Sequence, residues 1–146
     1  LSRLPEQRAW DSFRGIIDGS TLNVCRVENA CMEGMPDVVG INRRGVVFWC
    51  ENKAIDGWPE RSSTFPLNDA FEPGQLPFMR KWKWWNGHAF VLLRVKIDYY
   101  LLDPNMDLNK MTALQLIHSS IKTGRRAICE HLERLENENQ RNAPPA

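Results

Sequence analysis

An α/β (α+β) fold built on a central mixed sheet is what this sequence predicts, and three observations predict it. Short apolar runs with the two-residue period of strands alternate with amphipathic stretches of helical period. One of those runs, Val46 to Lys53 (VVFWCENK), is apolar on both faces, as expected of a central strand covered by helices. The order along the chain is helix, three strands, long loop, helix, two strands, an alternation that builds layers.

The elements follow in turn. Pro5 to Ile17 (PEQRAWDSFRGII) predicts a helix: Pro5 suits a first turn, Trp10, Phe13 and Ile17 share a face, and Gly19 follows the end. TLNVCRVEN predicts a strand. Asp37 to Ile41 and Val46 to Lys53 flank Asn42-Arg43-Arg44-Gly45, a turn composition that folds them into a hairpin. AIDGWPERSSTFPLNDAFEPG has no sustained period and reads as a long loop, a kind of segment that in compact domains tends to serve function. Gln75 to Asn86 predicts a helix with Phe78, Met79, Trp82 and Trp85 inward, stopped by Gly87. HAFVLLRV and YYLLD are strands joined through Lys96-Ile97-Asp98. Beyond Pro104, Met111, Leu114, Ile117 or His118 and Ile121 keep a helical period, and so do Ile128, Leu132 and Leu135 after Gly124. That second, narrow stripe suits either a helix laid over the sheet or a dimer seam.

Composition narrows the function classes. At 146 residues, 42% hydrophobic, the chain has the length for one packed core. No apolar run approaches the roughly 18 residues that span a bilayer, and LSRLPEQRAW is no hydrophobic signal segment, so a cytoplasmic protein without membrane association is expected. The four cysteines form no C-x-x-C pair and read as reduced packing residues, not zinc ligands. His88, His118 and His131 are not spaced as a metal cluster and read as structural or surface residues. A net charge of +1 requires any basic surface to be local. Nucleotide-binding glycine loops and the serine-hydrolase elbow are absent from the sequence.

One chemical signal remains. The apolar strand ends in Glu51-Asn52-Lys53, and strand alternation puts Glu51 and Lys53 on one face. The hairpin brings Asp37 opposite Cys50 or Glu51, so two carboxylates converge. Close carboxylates repel each other unless a cation lies between them. Hard oxygen donors completed by water and a phosphate describe a site for Mg²⁺ or Mn²⁺, with the Lys53 ammonium placed for a phosphate or an attacking water. The alternative is a capped turn and a strand-end ion pair.

GMPDVVG, FWCENKA and EPGQLPFMRKWKWWNGHAFVLL together resemble the PD-(D/E)xK nuclease superfamily, specifically its small archaeal Holliday-junction resolvase-like and virus-type replication-repair (VRR-NUC) members. In these, G-x-P-D, E-x-K and a glutamine before a helix recur in this order. The resemblance covers Leu4 to Asp103 and implies a restriction-endonuclease-like core over residues 1–104. Residues 105–138 are then a C-terminal helical extension, packed on the core or at a dimer interface, and 139–146 a solvated tail. It implies Asp37 and Glu51 as ligands of one or two Mg²⁺ or Mn²⁺ ions, with the Asn52 carbonyl joining them, Lys53 as the catalytic lysine and Gln75 beside the site. Glu6 on the first helix is the expected additional acid, and Glu28 its rival. Members of this size are often phage-encoded, which would place the protein in the host cytoplasm.

The implied reaction is metal-dependent hydrolysis of DNA phosphodiester bonds, structure-selective in the manner of a junction resolvase. A nicking, flap or sequence-specific endonuclease is the alternative within the class, and a non-catalytic DNA-binding or assembly protein the alternative outside it. Candidate phosphate contacts are Arg43 and Arg44 in the hairpin turn, Arg61 in the loop, Arg80, Lys81 and Lys83 around Trp84 on the glutamine helix, and Lys122, Arg125 and Arg126. A homodimer would suit a four-way junction by placing two sites about a two-fold axis.

Overall fold

The computed structural model of the chain describes residues 5–28 and 32–141. In chain order these form α1 (Pro5–Ile16), β1 (Leu22–Arg26), β2 (Val38–Asn42), β3 (Val47–Ile55), α2 (Gln75–Trp84), β4 (His88–Val95) and β5 (Asp98–Leu102), then α3 (Ala113–Ser119), β6 (Lys122–Thr123), α4 (Arg125–Glu133) and α5 (Glu138–Arg141). The strands make one six-stranded sheet in sequential order, β1-β2-β3-β4-β5-β6. Only β3 and β4 run parallel, which the 56–74 loop and α2 make possible by carrying the chain back across the sheet. Every other neighbouring pair is antiparallel. This is the mixed α+β sheet expected from the pattern.

Alternation along β3, β4 and β5 divides the core in two. Phe48, Cys50, Phe90, Leu92, Tyr99 and Leu101 face Phe13 and Ile16 of α1 and Ile128 and Leu132 of α4. Trp49, Val91, Leu93, Val95 and Leu102 face Leu76 and Met79 of α2, with Leu108 and Leu116 beyond. Each fully buried side chain of this kind is worth about 2 kcal/mol of transfer free energy, so both layers contribute to holding the sheet between its helices. The stripe Ile128, Leu132, Leu135 lies inside the first layer, in the same core as Phe13.

Asn42 locks the hairpin turn to the C-terminal end of α4. Its Oδ1 accepts from the N–H groups of Arg44 and Val46, both at 3.0 Å, while Nδ2 donates to Leu132 O at 3.1 Å and Leu135 O at 3.0 Å. One buried amide thereby satisfies the Leu135 carbonyl and adds to the long 3.4 Å bond that Leu132 O accepts from the Leu135 N–H at the helix end.

Several expectations need correction. Trp85 does not point inward: it is 70% exposed, because α2 ends at Trp84 and the chain turns out through Asn86, whose φ is 66°. A side chain at Gly87 would meet the Trp82 ring at 2.3 Å, so the chain closes tightly onto that indole. Between Met111 and Ile121 the buried position is Leu116, whereas Leu114 is 63% exposed. The helical period there is broken by strand pairing, with Ile121 N–H donating to Leu101 O and Gly124 N–H to Tyr99 O. β6, two residues long, is too short to show a period. Cys50 and Cys129 are buried, but Cys25 is exposed and is no packing residue; Cys31 lies outside the described residues. The 137–141 segment includes the exposed helical turn α5. Among the described residues no helix is long and apolar enough to cross a membrane.

Candidate active site

The β2–β3 ladder stops at Val38 opposite Cys50, so β3 runs on past the end of its neighbour. Continuing that register puts Asp37 opposite Glu51. The Asn52 N–H, left without a β2 carbonyl, donates instead to Asp37 Oδ2 at 3.1 Å. In return the Asp37 N–H donates to Glu51 Oε1 at 3.2 Å. N–H and C=O of one strand residue point to the same side, so the Asn52 carbonyl faces this open edge too. The Asn52 side chain lies on the other face, with Oδ1 3.8 Å from Cys50 Sγ.

Glu51 and Lys53 share the α2 face of the sheet, as alternation requires. Lys53 Nζ lies 3.2 Å from Glu51 Oε2. Gln75, the first residue of α2 and itself buried, ties the two together: its Nε2 donates to Glu51 Oε2 at 3.1 Å, and its Oε1 accepts from Lys53 Nζ at 3.0 Å and from the Glu72 N–H at 3.0 Å. Lys53 Nζ also sits 5.2 Å from the Phe71 ring centroid, within cation–π range. The start of α2 is set by two glycines with positive φ, Gly34 at 84° and Gly74 at 89°. A side chain on Gly34 would lie 2.2 Å from Gly74 O, so only glycine lets the loop before Asp37 approach Gln75 so closely.

The electrostatics are frustrated. Glu51 is 1% exposed. Burial, followed by the Asp37 charge, pushes its carboxyl from the ordinary 4.5 up to about 8, although Lys53 pulls the other way. A carboxyl–carboxylate hydrogen bond between Glu51 and Asp37 adds to the rise. The pair is held together by a proton or by a cation, and the donors present are all hard oxygens. That set fits Mg²⁺ or Mn²⁺ better than a softer metal. Among the described residues no group of three His, Cys, Asp or Glu is close enough to hold a metal, so backbone carbonyl, water and substrate oxygens would have to complete the coordination.

These groups line a cleft of about 600 Å³ whose wall also includes Trp10, Arg26, Glu28 and Glu72. Glu28 reaches the cleft but is largely exposed and lies 4.0 Å from Arg26. Glu6 belongs to α1, one helical turn before Trp10, and its side chain lies outside the described residues. Sequence reasoning missed Arg26, which donates to Gln7 Oε1 at 2.8 Å at the cleft edge, and Glu72, whose N–H orients Gln75; nothing in their local pattern marks them.

The candidate DNA contacts scatter. Arg80 donates to Pro104 O and Met106 O, Lys83 pairs with Asp103, and Arg44 with Glu136, so these cations hold the chain to itself. Arg43 donates to Ser20 O while remaining exposed, and Arg125 stacks on Tyr99. Arg126 lies 4.0 Å from Glu130. Arg61, Lys81 and Lys122 are exposed, and Trp84 is 76% exposed, set edge-on against Trp85 at 5.1 Å.

No protein-family model matches the chain, and no curated protein does. Solved structures do. Hjc of Archaeoglobus fulgidus, a Holliday junction resolvase from an archaeal hyperthermophile, superposes with a TM-score of 0.58 over 86% of this chain and 98% of that one, at 14% identity. The chain shares that resolvase's fold, a mixed six-stranded sheet with helices of the restriction-endonuclease-like kind. A structure described as a VRR_NUC domain matches at 20% identity and a TM-score of 0.41, over 62% of this chain and 85% of that chain. In this fold Asp37 precedes β2, Glu51 and Lys53 lie in the second half of β3, and Gln75 opens the following helix.

Proposed function

We propose that the protein is a divalent-metal-dependent DNA endonuclease, selective for branched or otherwise structured DNA. The observation that supports this most directly is the convergence of Asp37, Glu51, Lys53 and Gln75 within hydrogen-bonding distance, in an open cleft, on a fold shared with a junction resolvase. A capped turn and a strand-end ion pair would not need a buried carboxyl held so far from its ordinary pKa.

In this reading Asp37, Glu51 and the Asn52 carbonyl hold one or two Mg²⁺ or Mn²⁺ ions, with Glu6 as the further acid. Such an ion supplies Lewis-acid polarisation of the scissile phosphate and lowers the pKa of a bound water. Lys53 Nζ orients the attacking water or takes up the charge that builds on the phosphoryl oxygens. Gln75 is a positioning residue: by donating to Glu51 and accepting from Lys53 it fixes acid and ammonium relative to each other. Trp84, exposed beside Lys81, offers a face on which an unpaired base can stack. Selectivity then comes from DNA shape, and a two-fold dimer would present two clefts to a four-way junction.

The experiment is cleavage of labelled linear duplex, flap and four-way junction with Mg²⁺, Mn²⁺ or EDTA, beside Asp37→Asn and Lys53→Ala, together with a light-scattering mass. Metal-dependent cutting of the junction that both substitutions abolish is expected. Cutting that survives EDTA, or survives both substitutions, overturns the metal chemistry. Metal-dependent cutting indifferent to branching removes only the structural selectivity.

A further inference from the structure

A second cleft, of about 430 Å³, opens between α1 and the far ends of β3 and β4. Both clefts include Ala9, Asn52, Lys53 and Ala54 in their walls, so they join around the free end of β3. Their charges oppose. The first gathers Glu28, Asp37, Glu51 and Glu72 against Arg26 and the shared Lys53, while the second sets Arg8, Arg94 and Lys96, beside the same Lys53, against Asp56 alone.

Those cations come from three places: Arg8 from α1, Arg94 from β4 and Lys96 from the β4–β5 turn, where its φ is 56°. A solvated helix face puts like charges on one element, whereas here separate elements aim them at one cavity. Arg94 is held in place, its Nε donating to Lys96 O at 2.7 Å and its Nη1 to Ser12 Oγ. That uses two of the five donors a guanidinium carries. Arg8 and Lys96 are exposed. Clustered cations facing so little acid attract a polyanion, whereas the acidic cleft repels one until its carboxylates are neutralised. Affinity for a phosphate chain must therefore arise beside the acids, not among them.

We propose that the Arg8–Arg94–Lys96 cleft binds the phosphodiester backbone of the DNA strand flanking the cut. Arg94 provides a fixed fork for one phosphate, and Arg8 and Lys96 provide point charges for its neighbours. Arg94 stands in register with Ala54, three residues beyond Glu51 on β3, so at about 3.3 Å per residue it lies roughly 10 Å along the strand from Glu51 and on the α1 face of the sheet, within a few nucleotides of the cut. The proposal rests on the nuclease reading above.

The test is a charge reversal, Arg8→Glu with Lys96→Glu, made in the wild type and in Asp37→Asn, with Lys110→Glu as a reversal on an exposed residue outside both clefts. Cleavage is followed in the wild-type background. Binding of a labelled junction is followed by anisotropy in the Asp37→Asn background, in Mg²⁺ across a salt series. At about 0.1 M salt the double reversal is expected to weaken binding tenfold or more and to flatten the log–log salt slope by about two, with Lys110→Glu shifting affinity less than about twofold. Unchanged affinity and slope in a protein that still cuts overturns the cleft assignment alone, as does an equal loss with Lys110→Glu. A wild type that neither binds nor cuts DNA overturns the nuclease reading and this proposal with it.

Discussion

Asn42 and Glu51 are both buried polar residues of the central hairpin, one at each end of it, and the fold treats them oppositely. Asn42 is neutral, and both ends of its amide are bonded to backbone groups. Glu51 is a carboxyl pressed against another carboxylate, stable in its buried place only with a proton, or with a cation that bridges the pair. The first arrangement is what a core selects for stability. The second stores unfavourable electrostatics that only a bound charge relieves, a pattern typical of functional sites.

If that contrast is right, the largest effects fall on chemistry at one end and on stability at the other. Asp37→Asn and Lys53→Ala should lower the cleavage rate by about a thousandfold or more while thermal unfolding shows a folded chain, since each removes a charge from the reacting centre and little apolar packing. Loss of folding in both would mean that the charges are structural.

The pH response of the metal-free protein tests the same end. Below pH 4.5 Glu51 is protonated both folded and unfolded, and its titration does not affect stability. Between 4.5 and about 8 the unfolded chain has released a proton that the folded chain keeps, so stability falls as pH rises, on the order of a few kcal/mol in all. Urea unfolding of Glu51→Gln should lack this decline. Millimolar Mg²⁺ should raise the Tm of the wild type at pH 8 but not that of the variant, because an ion that binds only the folded state stabilises it. A decline of equal size in both proteins would place the pH sensitivity elsewhere.

At the other end, Asn42→Ala should cost about 2 kcal/mol in urea unfolding, by stranding the Leu135 carbonyl and the buried Val46 N–H, with cleavage per folded molecule unchanged. The smallest effect is expected at Trp84. Being 76% exposed, it should change stability by less than about 0.5 kcal/mol on Trp84→Ala, so a drop in DNA affinity in that variant would report stacking and not unfolding.

Local pattern made much of this molecule legible. The hairpin around Asn42 to Gly45, the doubly apolar β3 and the helix opening at Gln75 each announce themselves within a few residues, through turn chemistry or period. β6 escaped notice because two residues carry no period, and Leu116 because its burial comes from packing with Leu102 and Leu108 in the second core layer and not from the helical period of its neighbours. Arg80 and Lys83 resembled a nucleic-acid face, since a cation's partner is invisible until the 103–106 segment folds beside it. The Arg8–Arg94–Lys96 cleft was hidden for the converse reason: its members lie far apart in the chain and none belongs to a basic run.

The sequence by itself determined α1, α2 and the strands β1 to β5, and that an acid and an amine share one face of β3, because backbone periodicity and turn propensity act over a few residues. Only the tertiary structure decided that the Asp37 carboxylate stands in for the missing end of β2, that Gln75 spans Glu51 and Lys53, and that some cations hold the chain together while others converge on a cleft. Those outcomes depend on strand register and on how closely two glycines allow separate loops to approach, distances that no local rule contains.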